Sequence, residues 1–185
     1  AAAYTASNLA ELDLSQNNIG DVGLRLLASF LAGGATGSSP CALEVLALRG
    51  NRLGARRAAV AEFCDALAGN SSLRHLDLSA NALSHDAAAA VGDAMRYNSF
   101  LTSLDLSWNQ IGGRGGAALC LGLAANAGLQ YLDLSWNALG SAGPPSAVPS
   151  LAAALAAPSS ALLHLDLSWN QLSSADCAAL GRALL

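Results

Sequence analysis

The sequence predicts an α/β solenoid in which one parallel sheet is built from short strands and every repeat adds a helix. Three observations carry this prediction. A phrase of the form Leu-x-x-Leu-x-Leu-x-x-Asn-x-(Leu/Ile) occurs six times, its asparagines are 34, 30, 28, 28 and 33 residues apart, and apolar residues four apart follow it. Such a period means that each unit buries its apolar face only against its neighbours. The copies begin at Leu9, Leu43, Leu73, Leu101, Leu129 and Leu162.

Each phrase predicts a short strand that ends in a turn. In Tyr131–Ser135, apolar and polar residues alternate with period two, which places Leu132 and Leu134 inside and the other three residues outside. Asn137 follows, and its amide can satisfy backbone groups where the chain leaves the strand. We therefore expect the repeated asparagines to form an internal ladder rather than a binding site.

After each asparagine the sequence changes to a helical period, in which residues four apart lie on one face. A small residue at the second position of this stripe is expected to let the helix approach the strand layer closely. Asp176 departs from the pattern. The expected stripes include Ile19, Gly23, Leu27 and Leu31; Leu83, Ala87, Val91 and Met95; Ile111, Gly115, Leu119 and Leu123; and Leu172, Asp176, Leu180 and Leu184.

The phrase resembles the leucine-rich repeat, and residues 104–112, which read LDLSWNQIG, are close to the wording of its ribonuclease-inhibitor-like subfamily. The resemblance extends over nearly the whole chain. It implies a horseshoe-shaped solenoid of six repeats, with the parallel sheet on the concave side and the helices on the convex side. The resemblance is specific for fold and says little about function, because the same solenoid serves unrelated tasks.

Residues 1–185 are expected to form a single leucine-rich-repeat domain. The chain opens just before a strand and stops after a helical segment, with no polar capping repeat, which predicts a section of a longer protein. Two insertions, Gly33–Pro40 and Pro144–Pro149, are expected to form loops outside the strand ladder. Arg57 stands where other units have glycine or alanine, so the second helix is the one whose packing the sequence defines least.

Composition excludes several classes of function. The net charge is −4, and all nine basic residues are arginines, so a broad basic surface for nucleic acid is not expected. No uncharged apolar run reaches about 18 residues, which argues against membrane insertion. Four dispersed cysteines predict small buried side chains in a reducing, cytoplasmic compartment rather than disulfides or a zinc site.

Two outward columns are candidate binding surfaces for a protein partner. The aspartates of one column either attract a basic partner or serve local bonds to neighbours and water. The tryptophans of the other either anchor an interface or stack along the edge of the ladder. The partner-binding candidates on the sheet are Asp77, Asp105, Asp133 and Asp166, together with Tyr131 and with Trp108, Trp136 and Trp169.

Arg49, Arg52, Arg56 and Arg57 make the only basic cluster in the sequence. They are either a solvated turn and helix start or a docking patch for an acidic surface. Because the repeats break their own charge pattern here, the cluster is a further candidate for a specific contact.

Catalysis is not expected. His75, Asp77 and Ser79 have the residue types of a triad, but alternate residues of a strand lie about 6.5–7 Å apart along its axis. Proton transfer needs roughly 2.6–3.2 Å between heavy atoms. Residues 112–116 are rich in glycine but follow the turn asparagine, so a phosphate site is not expected either. The sequence indicates no cofactor and no metal.

A rigid repeated surface without a convergent catalytic set predicts a non-catalytic protein–protein interaction scaffold. We expect it to belong to a larger intracellular multi-protein assembly, ciliary or cytoskeletal in kind. Two alternatives come from resemblance. Similar solenoids occur in Ran GTPase-activating proteins, which regulate a GTPase, and in the repeat sections of innate-immune receptors.

Overall fold

The predicted solenoid is confirmed. The computed structural model describes residues 8–33, 42–140 and 146–185, and in them six strands form one parallel sheet in chain order, each followed by a helix. The elements are β1 (Glu11–Asp13), α1 (Asp21–Leu31), β2 (Val45–Ala47), a 3-10 turn (Leu53–Ala55), α2 (Arg57–Gly69), β3 (His75–Asp77), α3 (His85–Tyr97), β4 (Ser103–Asp105), α4 (Gly113–Ala124), β5 (Tyr131–Asp133), α5 (Val148–Leu155), β6 (His164–Asp166) and α6 (Ser174–Ala183).

The first predicted insertion falls almost entirely outside the described residues, whereas most of the second is described. The loop expected over Pro144–Pro149 is wrong at its end, because Val148 and Pro149 begin α5. Of Gly33–Pro40, only Gly33 is described, and it follows α1. Of the second insertion, Pro144 and Pro145 lie outside the described residues, whereas Pro149 lies in the first turn of α5. Proline is tolerated there because the first N–H groups of a helix have no intrahelical acceptor.

The leucines of the phrase form the core under the sheet, as predicted. The register pairs Leu46, Leu76, Leu104 and Leu132 across neighbouring strands, and each of these side chains is buried. The serines of the phrase are the exception, since Ser79, Ser107 and Ser135 are buried although the alternation placed their column outside. The strands β3, β4 and β5 each end at an aspartate, and the leucine after it is still buried as the alternation predicts, but the serine one position further belongs to the connection that leads into the turn.

The helices follow the expected faces in the middle of the chain and depart from them near its ends. The predicted stripes of the third and fourth units are buried throughout, whereas α1 buries Leu24, Ala28 and Leu31. In α6 only Leu180 is buried. Asp176 belongs to no stripe, because it forms a capping box with Ser173 at the start of that helix.

The small residues bring helices close to one another rather than to the strands. A Cβ added at Gly115 would lie 2.3 Å from the Cα of His85, at the start of α3. A Cβ added at Gly122 of α4 would lie 1.8 Å from the carbonyl oxygen of Gly92, which also belongs to α3. The backbones of α3 and α4 therefore touch along a line that only glycine permits.

The second helix is well packed despite the arginine at its start. Arg57 is its first residue and is exposed, so it does not enter the core. The buried face of α2 begins two residues later and consists of Ala59, Val60, Phe63, Cys64 and Leu67.

The asparagine ladder is present. Asn81 is fully buried, and its Nδ2 donates to the carbonyls of Leu48, Leu78 and Ser79. Its Oδ1 accepts the backbone N–H of Asn51 at 2.8 Å. Each rung thus joins one turn to the next, which is the internal role that the sequence predicted.

A second ladder runs along the opposite end of the repeats, where the helices return to the strands. Asn70, Asn98 and Asn126 are buried, and the Nδ2 of Asn98 donates to the carbonyl of Asn70 while that of Asn126 donates to the carbonyl of Asn98. Their Oδ1 atoms accept backbone N–H groups of the segment that enters the next strand. The sequence interpretation missed this ladder.

Two of the cysteines behave as predicted and one does not. Cys64 and Cys120 are buried free thiols, and desolvation raises the pKa of each to about 12. Cys177 is exposed, because α6 presents that face to solvent. Cys41 lies outside the described residues. No helix in the described part of the chain has the length and apolar character that crossing a bilayer requires.

Candidate interaction surface

The outward side chains of the strands and of the turns that follow them form one continuous surface, which we call the strand face. The register places Asp77, Asp105, Asp133 and Asp166 directly beside one another on consecutive strands. Ala47 interrupts the same column on β2. The candidate aspartates are therefore brought together, at a spacing of about 4.8 Å between strands.

Each aspartate of this row has a local structural role. The Oδ1 atoms of Asp77, Asp105 and Asp133 each accept the backbone N–H of the serine two residues later at 2.8 Å. The same bond is made by Asp13 and Asp166 at the two ends of the row. The carboxylates thus hold the turn, and the row of negative charge comes in addition to that role.

Two carboxyls of the row have pKa values shifted in opposite directions. Burial raises the pKa of Asp105, the charges of Asp77 and Asp133 add to this, and the hydrogen bonds from Ser107 oppose it. At the C-terminal end, the hydrogen bonds from Ser168 lower the pKa of Asp166. Asp105 therefore resists ionisation, whereas Asp166 favours it.

Asp105→Asn is expected to stabilise the protein at neutral pH. The pKa of Asp105 is higher in the folded than in the unfolded chain, so the folded state holds more protons between the two values and stability falls as pH rises through that window. Asparagine keeps the acceptor for Ser107 and removes the charge. Urea unfolding should show a gain at neutral pH that disappears below the pKa of an unfolded aspartate.

Asp166→Asn is the matched control and should behave with the opposite sign. The folded-state pKa of Asp166 is lowered, so ionisation contributes stability above the unfolded value that is lost as pH falls through the folded value. The variant should be less stable than the native chain at neutral pH and equal to it in acid. Identical pH profiles for the two variants would contradict the assignment of the two shifts.

The tryptophans form a stacked ladder at the carboxyl ends of β4, β5 and β6. The ring centroids of Trp108 and Trp136 are 4.0 Å apart and those of Trp136 and Trp169 are 4.3 Å apart, with 12° between the planes in both pairs. The rings are nevertheless 51%, 36% and 69% exposed, in chain order. The two interpretations of this column thus describe the same structure, since the rings stack and also face solvent.

The turn itself does not require tryptophan at these positions. Trp108, Trp136 and Trp169 all have φ near +55° (54°, 54° and 56°), and Gln16 and Ala80 hold the same conformation in other repeats at 57° and 53°. This left-handed region costs a residue other than glycine about 1 kcal/mol, whatever its side chain. Three large apolar side chains therefore stand on the surface with no backbone reason for their presence.

A second aromatic pair lies on the other side of the aspartate row. Tyr131 and His164 are neighbours in the register, and their rings stack with centroids 4.6 Å apart and 2° between planes. Tyr131 was a candidate from the sequence, whereas His164 was missed. The signal was available, because the two residues occupy equivalent places in consecutive phrases.

The arginines of the cluster make different contacts. Arg49 donates from Nη1 to the Oγ of Ser79 at 2.8 Å, and none of the ion pairs among the described residues joins it to an aspartate of the row. Arg49 therefore contacts the turn after β3 and makes no ion pair with the described aspartates of the row.

The remaining arginines lie on the helical side of the turn. Arg56 pairs with Asp21 at 3.5 Å, and Arg57 pairs with Asp86, so each joins α2 to a neighbouring repeat. Arg52 is exposed in a left-handed conformation. A docking role for the cluster stays a prediction, and it would depend mainly on Arg49 and Arg52, because Arg56 and Arg57 are paired within the chain.

The residues that resemble a triad are not arranged for catalysis. Ser79 is fully buried, and its Oγ accepts the hydrogen bond from Arg49, while His75 is exposed on the strand. Among the described residues, no group of three or more histidine, cysteine, aspartate or glutamate side chains could hold a metal ion. The strand face thus presents charge and aromatic surface rather than a reactive centre.

Comparison with known proteins identifies the repeat. A family model described as Leucine Rich repeat matches residues 5–28, 69–92, 97–120, 125–143 and 159–181, which together make up more than half of the chain. No curated protein sequence matches.

Solved structures share the fold at low sequence identity. One, titled leiomodin-1 actin-binding site 2, has a TM-score of 0.55 and 21% identity, over 69% of this chain and 71% of that one. Another, the tropomodulin C-terminal domain of Caenorhabditis elegans, has a TM-score of 0.61 and 13% identity, over 87% of this chain and 90% of that one. At these identities the likeness concerns the fold alone.

Proposed function

Since the chain belongs to the leucine-rich-repeat family, we propose that it is a non-catalytic protein-binding module whose strand face receives a partner within a larger cytoskeletal assembly. The observation that carries the proposal is the exposed ladder of Trp108, Trp136 and Trp169 beside a row of carboxylates. Aromatic side chains that are held rigidly and left in solvent are the usual anchors of protein interfaces.

The cytoskeletal part of the proposal is supported by the structural neighbours. One of them is titled as an actin-binding site of leiomodin-1, and another is a domain of tropomodulin. Actin is therefore the first partner to test. The free thiols of Cys64, Cys120 and Cys177 fit a reducing, cytoplasmic setting, which is part of the same proposal.

The test is affinity capture with a variant of the strand face. The chain carrying Trp136→Ala and Asp133→Asn should no longer capture a specific protein that the native chain captures from an extract, as quantified by mass spectrometry. Co-sedimentation with filamentous actin tests actin directly as the partner. Alanine suits this position because Ala80 already holds the same backbone conformation. Asparagine keeps the acceptor for Ser135.

Tyr97→Ala is the matched control. Tyr97 is an aromatic side chain 72% exposed at the end of α3, away from the strand face. This variant should capture the same proteins as the native chain. Equal capture by the strand-face variant and the native chain would show that the strand face is not the binding site.

The two alternatives taken from resemblance stay predictions. No feature of the described residues favours a GTPase regulator or a receptor section over a scaffold. A GTP hydrolysis assay with small GTPases tests the first directly, since a regulator must accelerate hydrolysis.

A further inference from the structure

We propose that the partner docks through a basic, arginine-bearing extended segment, which lays its guanidinium groups on the strand face of the last three described repeats. This inference rests on the proposed function and deepens it by stating the chemistry of the partner. The part of the strand face concerned, which we call the aromatic–acidic face, consists of Trp108, Trp136, Trp169, Tyr131, His164, Asp105, Asp133 and Asp166.

The charge of this surface has one sign. Asp105, Asp133 and Asp166 lie on adjacent strands in register, and residues 103–109, 131–137 and 164–170 include no arginine or lysine. Arg49, the arginine of the strand face, follows β2, three repeats before Asp133, and donates to Ser79. A basic segment would meet complementary charge here and repulsion near Arg49.

Aromatic rings flank the carboxylates on both sides. The Tyr131–His164 pair lies two residues before the aspartates of β5 and β6, and the tryptophans lie three residues after them. A cation bound between the carboxylates of Asp133 and Asp166 would therefore have ring surface on either side. This arrangement distinguishes the aromatic–acidic face from a plain acidic patch, which would attract any cation equally.

The exposed fractions show where ring surface remains available. Trp136 has a ring on both sides and is still 36% exposed. Trp108 and Trp169 each stack on one side only and are 51% and 69% exposed. The column continues from Trp108 to Ala80, which is too small to cover a ring. The two end rings thus keep more uncovered surface, on which a planar group can stack.

Among cationic side chains, arginine suits this combination best. Its guanidinium is planar, stacks on aromatic faces and is less strongly hydrated than the ammonium of lysine. It also pairs with carboxylates through two parallel hydrogen bonds. The Oδ1 atom of each aspartate is occupied by the turn, so the guanidinium would use Oδ2 together with a neighbouring aspartate.

The experiment uses the whole chain with oligo-arginine, oligolysine and oligoglutamate peptides of equal length. All three tryptophans of the protein belong to the ladder, so selectively excited tryptophan fluorescence reports on this surface alone. We expect oligo-arginine to change the emission and to bind several-fold more tightly than oligolysine, with affinity that falls as salt is added. Oligoglutamate should not bind.

Calorimetry on variants assigns the contact. Trp169→Ala, which removes the most exposed of the three tryptophans, should weaken oligo-arginine roughly fivefold to tenfold, and Asp133→Asn roughly twofold to fivefold. Tyr97→Ala should leave the affinity unchanged. Far-ultraviolet circular dichroism checks that each variant is folded before its affinity is compared.

Three outcomes overturn the inference. Equal affinity for oligo-arginine and oligolysine, or an unchanged affinity in Trp169→Ala, would mean that the rings do not take part. If no basic peptide binds while capture of a protein still depends on Trp136 and Asp133, the partner has another chemistry and the proposed function stands. If capture does not depend on these residues either, the proposed function fails with the inference.

Discussion

Gly122→Ala is expected to lower the free energy of unfolding by about 3 kcal/mol, at the upper end of what overpacking costs. The added Cβ would lie 1.8 Å from the carbonyl oxygen of Gly92 and 2.4 Å from its carbonyl carbon. These atoms are backbone in the middle of α3, so no side chain can turn away to make room. Helices α3 and α4 would have to separate. Urea unfolding followed by circular dichroism measures the loss.

Gly181→Ala is the control for helix propensity. Gly181 lies inside α6, and nothing would come within 4 Å of an added Cβ. The same chemical change should there raise the free energy of unfolding by about 0.5–1 kcal/mol, because alanine loses less backbone entropy than glycine in a helix. If the two substitutions had effects of the same sign, the close contact between α3 and α4 would be wrong.

The close approach of α3 and α4 also explains why the sequence misled about the small residues. A glycine in a helical stripe can serve a strand contact or a helix contact, and the pattern within one repeat does not distinguish them. Gly92 and Gly122 meet across 30 positions of sequence, as do Gly115 and His85. Only the stacking of one repeat on the next decides which partner each glycine meets.

The strands and the outward columns could be predicted from the sequence because they depend on a short local phrase. Period two assigns the inner and outer residues, and the repetition of the phrase sets the register that pairs Leu104 with Leu132 and Asp105 with Asp133. The helical pattern was less reliable in α1 and α6. In α1 the buried residues are Leu24 and Ala28 together with the predicted Leu31.

Part of what was missed could have been read from the sequence. Asn70, Asn98 and Asn126 recur at intervals of 28 residues, and each stands three residues before the first leucine of a phrase. By contrast, the pairing of Arg56 with Asp21 and of Arg57 with Asp86 joins residues on different repeats. Such pairs depend on the angle between helices, which no single repeat encodes.

For the candidate site as well, the sequence predicts one part of the arrangement and leaves another part undetermined. That Trp108, Trp136 and Trp169 form a column follows from the phrase, but their simultaneous stacking and exposure depends on the distance between turns. The role of the column depends in addition on a partner whose residues are not part of this chain. This is why the sequence predicts where contact can occur and the surface chemistry predicts what kind of segment makes it.

Asn81→Leu is expected to lower the free energy of unfolding by about 1–3 kcal/mol. The amide is fully buried, and leucine has a similar size but cannot bond. The carbonyls of Leu48 and Ser79 keep other donors, from Asn51 Nδ2 and from the backbone N–H of Gly50. The buried N–H of Asn51, which donates to Asn81 Oδ1, would lose that acceptor, and a buried polar group without a partner costs about 1–3 kcal/mol. Urea unfolding measures the loss of free energy of unfolding.

Asn17→Leu is the control, because it makes the same change of residue at a position whose side-chain bonds among the described residues stay within its own turn. Asn17 is the exposed equivalent in the first repeat, where its Nδ2 donates to the carbonyls of Leu14 and Ser15, which water can also reach. This variant should lose less than about 1 kcal/mol. Amide hydrogen exchange locates the larger effect, since the N–H of Asn51 should lose its protection in Asn81→Leu and keep it in Asn17→Leu. Equal losses for the two variants would mean that the asparagines act by residue type within their own turns, and that the bonds between repeats contribute little to holding the solenoid together.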